Sequence, residues 1–81
     1  MIKNILFTGG GGVGNELIWR KLYKKYNLFF CDVEIENIDP VIPLNSKIKV
    51  CHCNSKEYIK EIKKICINKN IDLIVPGIDE E

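Results

Sequence analysis

The stretch ILFTGGGGVGNEL, residues 5–17, decides the fold class of this 81-residue chain. The apolar run from Ile5 to Phe7 is typical of a strand buried on both faces of a sheet. Glycines at positions 9–12 and 14 then end the strand, and from about Val13 to Tyr26 apolar residues recur at helical spacing. A strand, a glycine turn and a helix in this order predict the opening of an α/β domain.

The rest of the chain continues the alternation of strands and helices. Further strands are predicted at Leu28–Cys31, Lys47–Cys53 and Ile71–Val75, and a second helix is predicted at Ser55–Lys69. Residues 34–46 hold two prolines and no clear period, which predicts a surface loop with up to one helical turn. Helices that join strands imply parallel pairing. We therefore predict a Rossmann-like open parallel sheet of about four strands with two helices, in strand order 3-2-1-4.

Three asparagines mark the ends of the predicted helices. Asn27 and Asn70 each follow a helical stripe, where a residue that tolerates the left-handed conformation closes a helix. Asn54 with Glu57 three residues later resembles a capping box at the start of the second helix.

Composition excludes several classes of function. The net charge is +1, so nothing marks the chain as a nucleic-acid or membrane binder. No apolar segment approaches the roughly 18 residues of a membrane span, and the short apolar run near Met1 is not a signal peptide. We therefore expect a cytoplasmic chain whose four cysteines are reduced thiols.

Cys51, His52 and Cys53 carry side chains that can bind a metal ion, but their spacing argues against a metal site. On a strand, Cys51 and Cys53 face one side and His52 the other. A tetrahedral site also needs a second pair of ligands, and the chain has no other histidine. We expect no metal site.

Ligands of open parallel sheets bind at the carboxyl edge of the strands, where three segments should meet. The glycine turn contains Gly9-x-Gly11-x-x-Gly14, whose amides could face an anion and whose Gly14 would permit close packing of helix on strand. Asp32 lies 18 residues after Gly14, where dinucleotide-binding domains place the acid that binds ribose hydroxyls. A turn needed for packing alone and a plain strand-end aspartate remain alternatives.

Two classes of catalyst are excluded by missing residues. No G-K-S/T follows the glycines, so the turn is not the P-loop of a phosphotransferase. A single histidine gives no basis for a Ser–His–Asp constellation.

The third segment is PGIDEE, residues 76–81. Asp79 resembles an N-cap, and Glu80 and Glu81 suit the first turn of a helix. We therefore expect residues 1–81 to be one domain, an N-terminal fragment of a longer chain, incomplete at its C-terminus in a three-layer fold. The missing helix would leave an apolar face uncovered, which would favour self-association.

Taken together, ILFTGGGGVGNELIWRKL, FFCDVE and SKEYIKEIKKICINKNIDLIVPGIDEE resemble the N-terminal (pre-ATP-grasp) domain of ATP-grasp enzymes. The similarity is to carboxylate–amine ligases like the carbamoyl-phosphate synthetase large subunit, and it covers nearly the whole chain except residues 34–46. The ending, with a buried IDLIVP strand followed by DEE, is its most specific part.

The resemblance implies a division of labour within a larger enzyme. An ATP-grasp module, absent from these residues, would bind ATP and Mg²⁺ and activate a carboxylate as an acyl phosphate for attack by an amine. The N-terminal domain would form the small-molecule side of the cleft and would not catalyse ligation alone. The positions that match the cleft are Gly9, Gly10, Gly11, Gly12, Gly14, Asp32, Asp79 and Glu80.

Two alternatives stay open. One is the N-terminal half of an NAD(P)-binding epimerase or dehydrogenase domain, although the T-G-x-x-G-x-x-G pattern of extended short-chain reductases would need glycine at Asn15. Such a reductase also needs a Tyr-x-x-x-Lys pair, and Tyr58 is followed by Ile62. The other alternative is a stand-alone interaction module with this fold and no ligand.

Overall fold

The computed structural model describes residues 2–77. Its strands are β1 (Asn4–Thr8), β2 (Asn27–Asp32), β3 (Lys47–Lys49) and β4 (Leu73–Val75), and its α-helices are α1 (Asn15–Leu22) and α2 (Tyr58–Asn68). All strands pair in parallel in the order β3-β2-β1-β4. The predicted fold class and strand order are confirmed. Among residues 2–77, the helices lack the length and the apolar character that a membrane span requires.

The two helices cover opposite faces of the sheet, because side chains of a strand alternate between its faces. Ile5 and Phe7 of β1 belong to a core cluster that packs against α1, and the Phe7 ring stacks on Phe30 at 4.8 Å. Leu6 points to the other face and joins the cluster beneath α2, which includes Tyr58. Burying a side chain of the size of Leu6 or Phe30 contributes about 2 kcal/mol.

The loop between β2 and β3 closes the α1 side of the core. It contains two short 3₁₀ turns, Ile35–Asn37 and Leu44–Ser46, where one helical turn was expected. Ile38 and Ile42 from this loop are each 1% exposed and pack beside Phe30. The loop is therefore part of the hydrophobic core, although the sequence has no period there.

Of the three asparagines predicted to mark helix ends, only one has the predicted role. Asn70 has φ 51° and closes α2 in the left-handed conformation, as predicted. The prediction for Asn27 is wrong: α1 ends at Leu22, and the Asn27 amide donates to the Lys3 carbonyl at 2.7 Å as β2 begins. The predicted capping box is also wrong, because the Glu57 amide donates to the Ser55 hydroxyl at 3.2 Å.

Strand β4 is the least covered part of the sheet. Leu73 and Ile74 are each 41% exposed, whereas Val75 packs against the α1 side of the core. No residue of α1 is buried. The uncovered apolar face and the self-association that it would favour both remain predictions.

Candidate ligand-binding cleft at the sheet edge

The structure brings most of the predicted site together at the carboxyl ends of the strands. The glycine turn follows β1, Asp32 ends β2, and Gly77 follows β4. The Gly77 amide donates to the Thr8 hydroxyl at 3.1 Å, which ties the chain after β4 to the end of β1. The predicted site residues Asp79 and Glu80 lie outside the described residues.

Asp32 is held by the backbone of its own loops. Its Oδ2 atom accepts a hydrogen bond from the Gly11 amide at 2.8 Å, and Oδ1 accepts one from the Glu34 amide at 3.1 Å. Each carboxylate oxygen keeps a further lone pair for a ligand. The Gly11 amide, however, is already used and is not offered to an anion.

The rest of the turn is also bonded internally. The Gly10 amide donates to the Cys31 carbonyl at 2.7 Å, and the Gly12 amide donates to the Gly9 carbonyl at 2.9 Å. The side-chain amide of Asn15 donates to the Gly9 and Gly10 carbonyls at 3.0 and 2.9 Å. Asn15 therefore helps to close the turn, a role that was missed because its contacts depend on the loop conformation.

Steric contacts explain why two of these positions are glycine. A Cβ atom at Gly10 would lie 3.0 Å from the Phe30 Cβ, and one at Gly11 would lie 2.9 Å from the Asn37 Cβ. Real Cβ atoms essentially never make a contact as short as the one at Gly11, and the contact at Gly10 would require Phe30 to shift. The middle of the turn is therefore packed against β2 and the following loop.

Gly14 is required for a different reason from the one predicted. No heavy atom lies within 4 Å of the place where its Cβ would be, so close packing of helix on strand is not its role. Its φ of 95° is a conformation that other residues rarely adopt. Gly14 therefore sets the direction in which α1 begins.

A shallow depression of about 340 Å³ lies beside the turn on the α1 side. Among residues 2–77, the amides of Val13 and Gly14 have no hydrogen-bond partner, and both residues line this depression. Three carboxylates line it as well, those of Glu16, Glu36 and Asp39. Their negative charge opposes the binding of a phosphate at these amides.

A larger cleft of about 450 Å³ opens on the α2 side of Asp32. Its volume suits a small molecule. Its far wall is the segment after β3, where the Cys51 amide donates to the Glu61 carboxylate at 2.9 Å and so ties this segment to α2. The cleft is lined by Gly9, Cys31, Asp32, Val33, Val50, Cys51, His52, Cys53, Tyr58 and Gly77.

The thiol and imidazole groups of this cleft are described by the contacts of His52. His52 Nδ1 accepts the Asn54 amide at 3.1 Å and lies 3.9 Å from the Cys53 sulfur, so the neutral ring carries its proton on Nε2. Within the described range 2–77, no three His, Cys, Asp or Glu side chains are grouped to hold a metal ion.

Two groups with shifted pKa values lie away from the cleft. The pKa of Asp72 is lowered chiefly because its carboxylate accepts the Asn4 amide, and then the Lys3 amide, each at 2.9 Å. Burial raises the pKa of the Cys66 thiol on α2. Asp72 therefore fixes the start of β1 against the start of β4, which is a structural role.

None of the known protein families, curated proteins and solved structures with which this chain was compared matches it. A functional assignment for this chain therefore depends on the residues of the cleft and on the fold that positions them.

Proposed function

We propose that this chain is the N-terminal, substrate-side domain of an ATP-dependent carboxylate–amine ligase of the carbamoyl-phosphate-synthetase-like ATP-grasp class, and that it is not catalytic on its own. The observation that carries the proposal is the hydrogen bond from the Gly11 amide to Asp32. This bond leaves the Gly11 amide unavailable to a phosphate, while Gly9 of the same turn lines the larger cleft. The geometry supports the role proposed for the turn, and the reaction class comes from the sequence resemblance.

The cofactors implied by that class do not fit the described residues. A triphosphate needs cationic side chains, and Mg²⁺ then binds between carboxylates and phosphate oxygens. Neither depression beside the turn is lined by a lysine or arginine among the described residues. ATP and Mg²⁺ would accordingly be bound by other domains of the same polypeptide, and this domain would contact the small-molecule substrate.

The cleft offers groups suited to a small polar substrate. Asp32 retains lone pairs for a donor, and Val33 and Val50 provide apolar surface. Such a wall can position an acceptor without taking part in proton or phosphoryl transfer. We also expect the protein to act in the cytoplasm, where ATP and reduced thiols are found together.

The reading frame past Glu81 tests the proposal. Sequencing of the transcript should find codons for an ATP-grasp module in the same frame. The complete polypeptide should then release phosphate from ATP only when a carboxylate and an amine are both supplied. A frame that continues into sequence without such a module would contradict the proposal.

One observation favours the NAD(P)-binding alternative. The larger cleft lies directly beside Asp32, the position at which dinucleotide-binding domains recognise the ribose. The occupied Gly11 amide is against it, because a pyrophosphate would need that amide. Saturable binding of NAD⁺ or NADP⁺ to this chain would establish the alternative.

A further inference from the structure

We propose that the larger cleft beside Asp32 binds a small organic ammonium ion, a protonated primary amine that carries a short apolar chain. This ligand class deepens the proposed function and rests on it for the role of the cleft as the substrate side. Binding of such an ion to this chain is measured directly, whereas the reading frame past Glu81 tests the proposed function. Either can therefore fail without the other.

The charge of the cleft is negative. Asp32 is the single Asp, Glu, Lys or Arg among the described residues that line it. The His52 ring adds no charge, because its Nδ1 atom accepts the Asn54 amide as a neutral imidazole does. The Glu61 carboxylate accepts the Cys51 amide at 2.9 Å and so holds further negative charge against the wall. A carboxylate or phosphate ligand would be repelled here, and a cation would be attracted.

Asp32 keeps its charge for a ligand. Lys49 lies beside it in the register of β3 and β2, but among residues 2–77 these two side chains form no ion pair. The Lys49 side chain instead lines a separate depression next to α2. A cation that enters the cleft would therefore be the first to pair with this carboxylate.

The Asp32 carboxylate is also positioned before a ligand arrives. Its Oδ2 atom is held by the Gly11 amide at 2.8 Å and its Oδ1 atom by the Glu34 amide at 3.1 Å. Each oxygen retains a lone pair. Because binding does not have to order this side chain, its entropic cost is reduced.

The donor set favours an ammonium group over a metal ion. Ca²⁺ takes about six to eight oxygen ligands, and Mg²⁺ demands a nearly ideal octahedron. The described part of the chain holds no group of His, Cys, Asp or Glu side chains suited to a metal ion. An ammonium group is satisfied by one carboxylate together with water.

The lining next to Asp32 selects an ion with an apolar chain. Val33 lines the cleft and is 38% exposed, while Val50 and Tyr58 line it as buried side chains. An alkyl chain on the ammonium group would cover part of Val33 and so gain the free energy of apolar burial. The volume of about 450 Å³ leaves room for such a chain.

Titration of the ¹⁵N-labelled chain with probes of matched shape tests the charge of the ligand. Isoamylammonium, isoamyl alcohol and isovalerate are added at constant ionic strength, and the amide resonances of Val33 and Cys53 are followed. The ammonium ion should give saturable shifts with a dissociation constant of about 1–10 mM, and the alcohol should bind about 5-fold more weakly or worse. Isovalerate should give no shift.

Three results of this titration would overturn the proposal. They are binding of isovalerate, a smaller difference between the ammonium ion and the alcohol, and shifts by the ammonium ion that do not saturate by about 50 mM. The comparison uses the native chain, so it does not depend on whether a variant folds.

Asp32→Asn removes the charge with little change of shape. The asparagine side chain can still accept the Gly11 amide through its carbonyl oxygen. Glu36→Gln is the matched control, because this exposed acid loses the same charge from the depression on the other side of the turn. Asp32→Asn should weaken isoamylammonium binding about 5-fold or more, and Glu36→Gln should leave it unchanged. Equal effects would show that only the net charge attracts the ion and would overturn the site.

Discussion

The Oδ2 atom of Asp32 lies 2.8 Å from the Gly11 amide nitrogen, and this contact joins the end of β2 to the glycine turn after β1. The two residues are 21 positions apart in the chain. A turn that would serve a phosphate by offering its amides is instead fixed by a carboxylate of the same protein. The negative charge of Asp32 further disfavours an anion there.

Replacing Asp32 with alanine should lower the free energy of unfolding by about 2 kcal/mol, because the Gly11 and Glu34 amides lose a charged acceptor. Urea unfolding followed by circular dichroism measures the loss. Glu36→Ala is the matched control, since Glu36 is an exposed acid beside the same turn. Equal stabilities of the two variants would show that Asp32 does not hold the turn.

Gly77→Ala should destabilise the protein more than Gly14→Ala. A Cβ atom at Gly77 would overlap the Thr8 carbonyl oxygen, and a clash with backbone costs about 2 kcal/mol or more. At Gly14 only the positive φ opposes alanine, at a cost of about 1 kcal/mol. Thermal unfolding of both variants gives the comparison, and the reverse order would contradict the contact between Gly77 and Thr8.

The fold was predictable because its signals are local. The run from Ile5 to Phe7, the glycines after it and the helical stripes each depend on neighbouring residues, and together they predict parallel strands in one order. The bond between Asp32 and Gly11 was not predictable, because it depends on how two distant loops meet. Gly14 was predicted as part of the site, but the sequence does not show that its backbone adopts a positive φ.

Asn27 and Asn70 also show that a local sequence pattern cannot predict the effect of contacts with distant segments. Each follows a helix-like stripe, and the local pattern predicts the same left-handed ending for both. At Asn27 a backbone bond to Lys3 draws the residue into β2, so tertiary pairing overrides the local preference.

The left-handed conformation of Asn70 gives a prediction on helix α2. Asn70→Gly should leave the free energy of unfolding within a few tenths of a kcal/mol, whereas Asn70→Ala should lower it by about 1 kcal/mol, because φ is 51°. Chemical denaturation measures both variants. If alanine were as stable as glycine, Asn70 would not have a positive φ in solution.

The lowered pKa of Asp72 makes part of the stability depend on pH. A carboxyl group whose pKa is lower when folded stabilises the protein above its ordinary pKa, and this contribution is lost as the pH falls through the folded-state pKa. Asp72→Asn should therefore melt below wild type at about pH 7 and match it in strong acid. Melting curves across this range provide the measurement. A gap between the two proteins that did not change with pH would contradict the role of Asp72.

Titration of the ¹⁵N-labelled chain with NAD⁺ and NADP⁺, followed by the amide resonances of Gly10, Gly11 and Gly12, tests the central claim most directly. If the turn is packed and held by Asp32, these resonances should not shift at nucleotide concentrations up to about 1 mM. The binding free energy of the nucleotide would then be weaker than about −4 kcal/mol. A saturable shift of the three resonances at micromolar nucleotide would show that the turn is a dinucleotide cradle and would contradict the account.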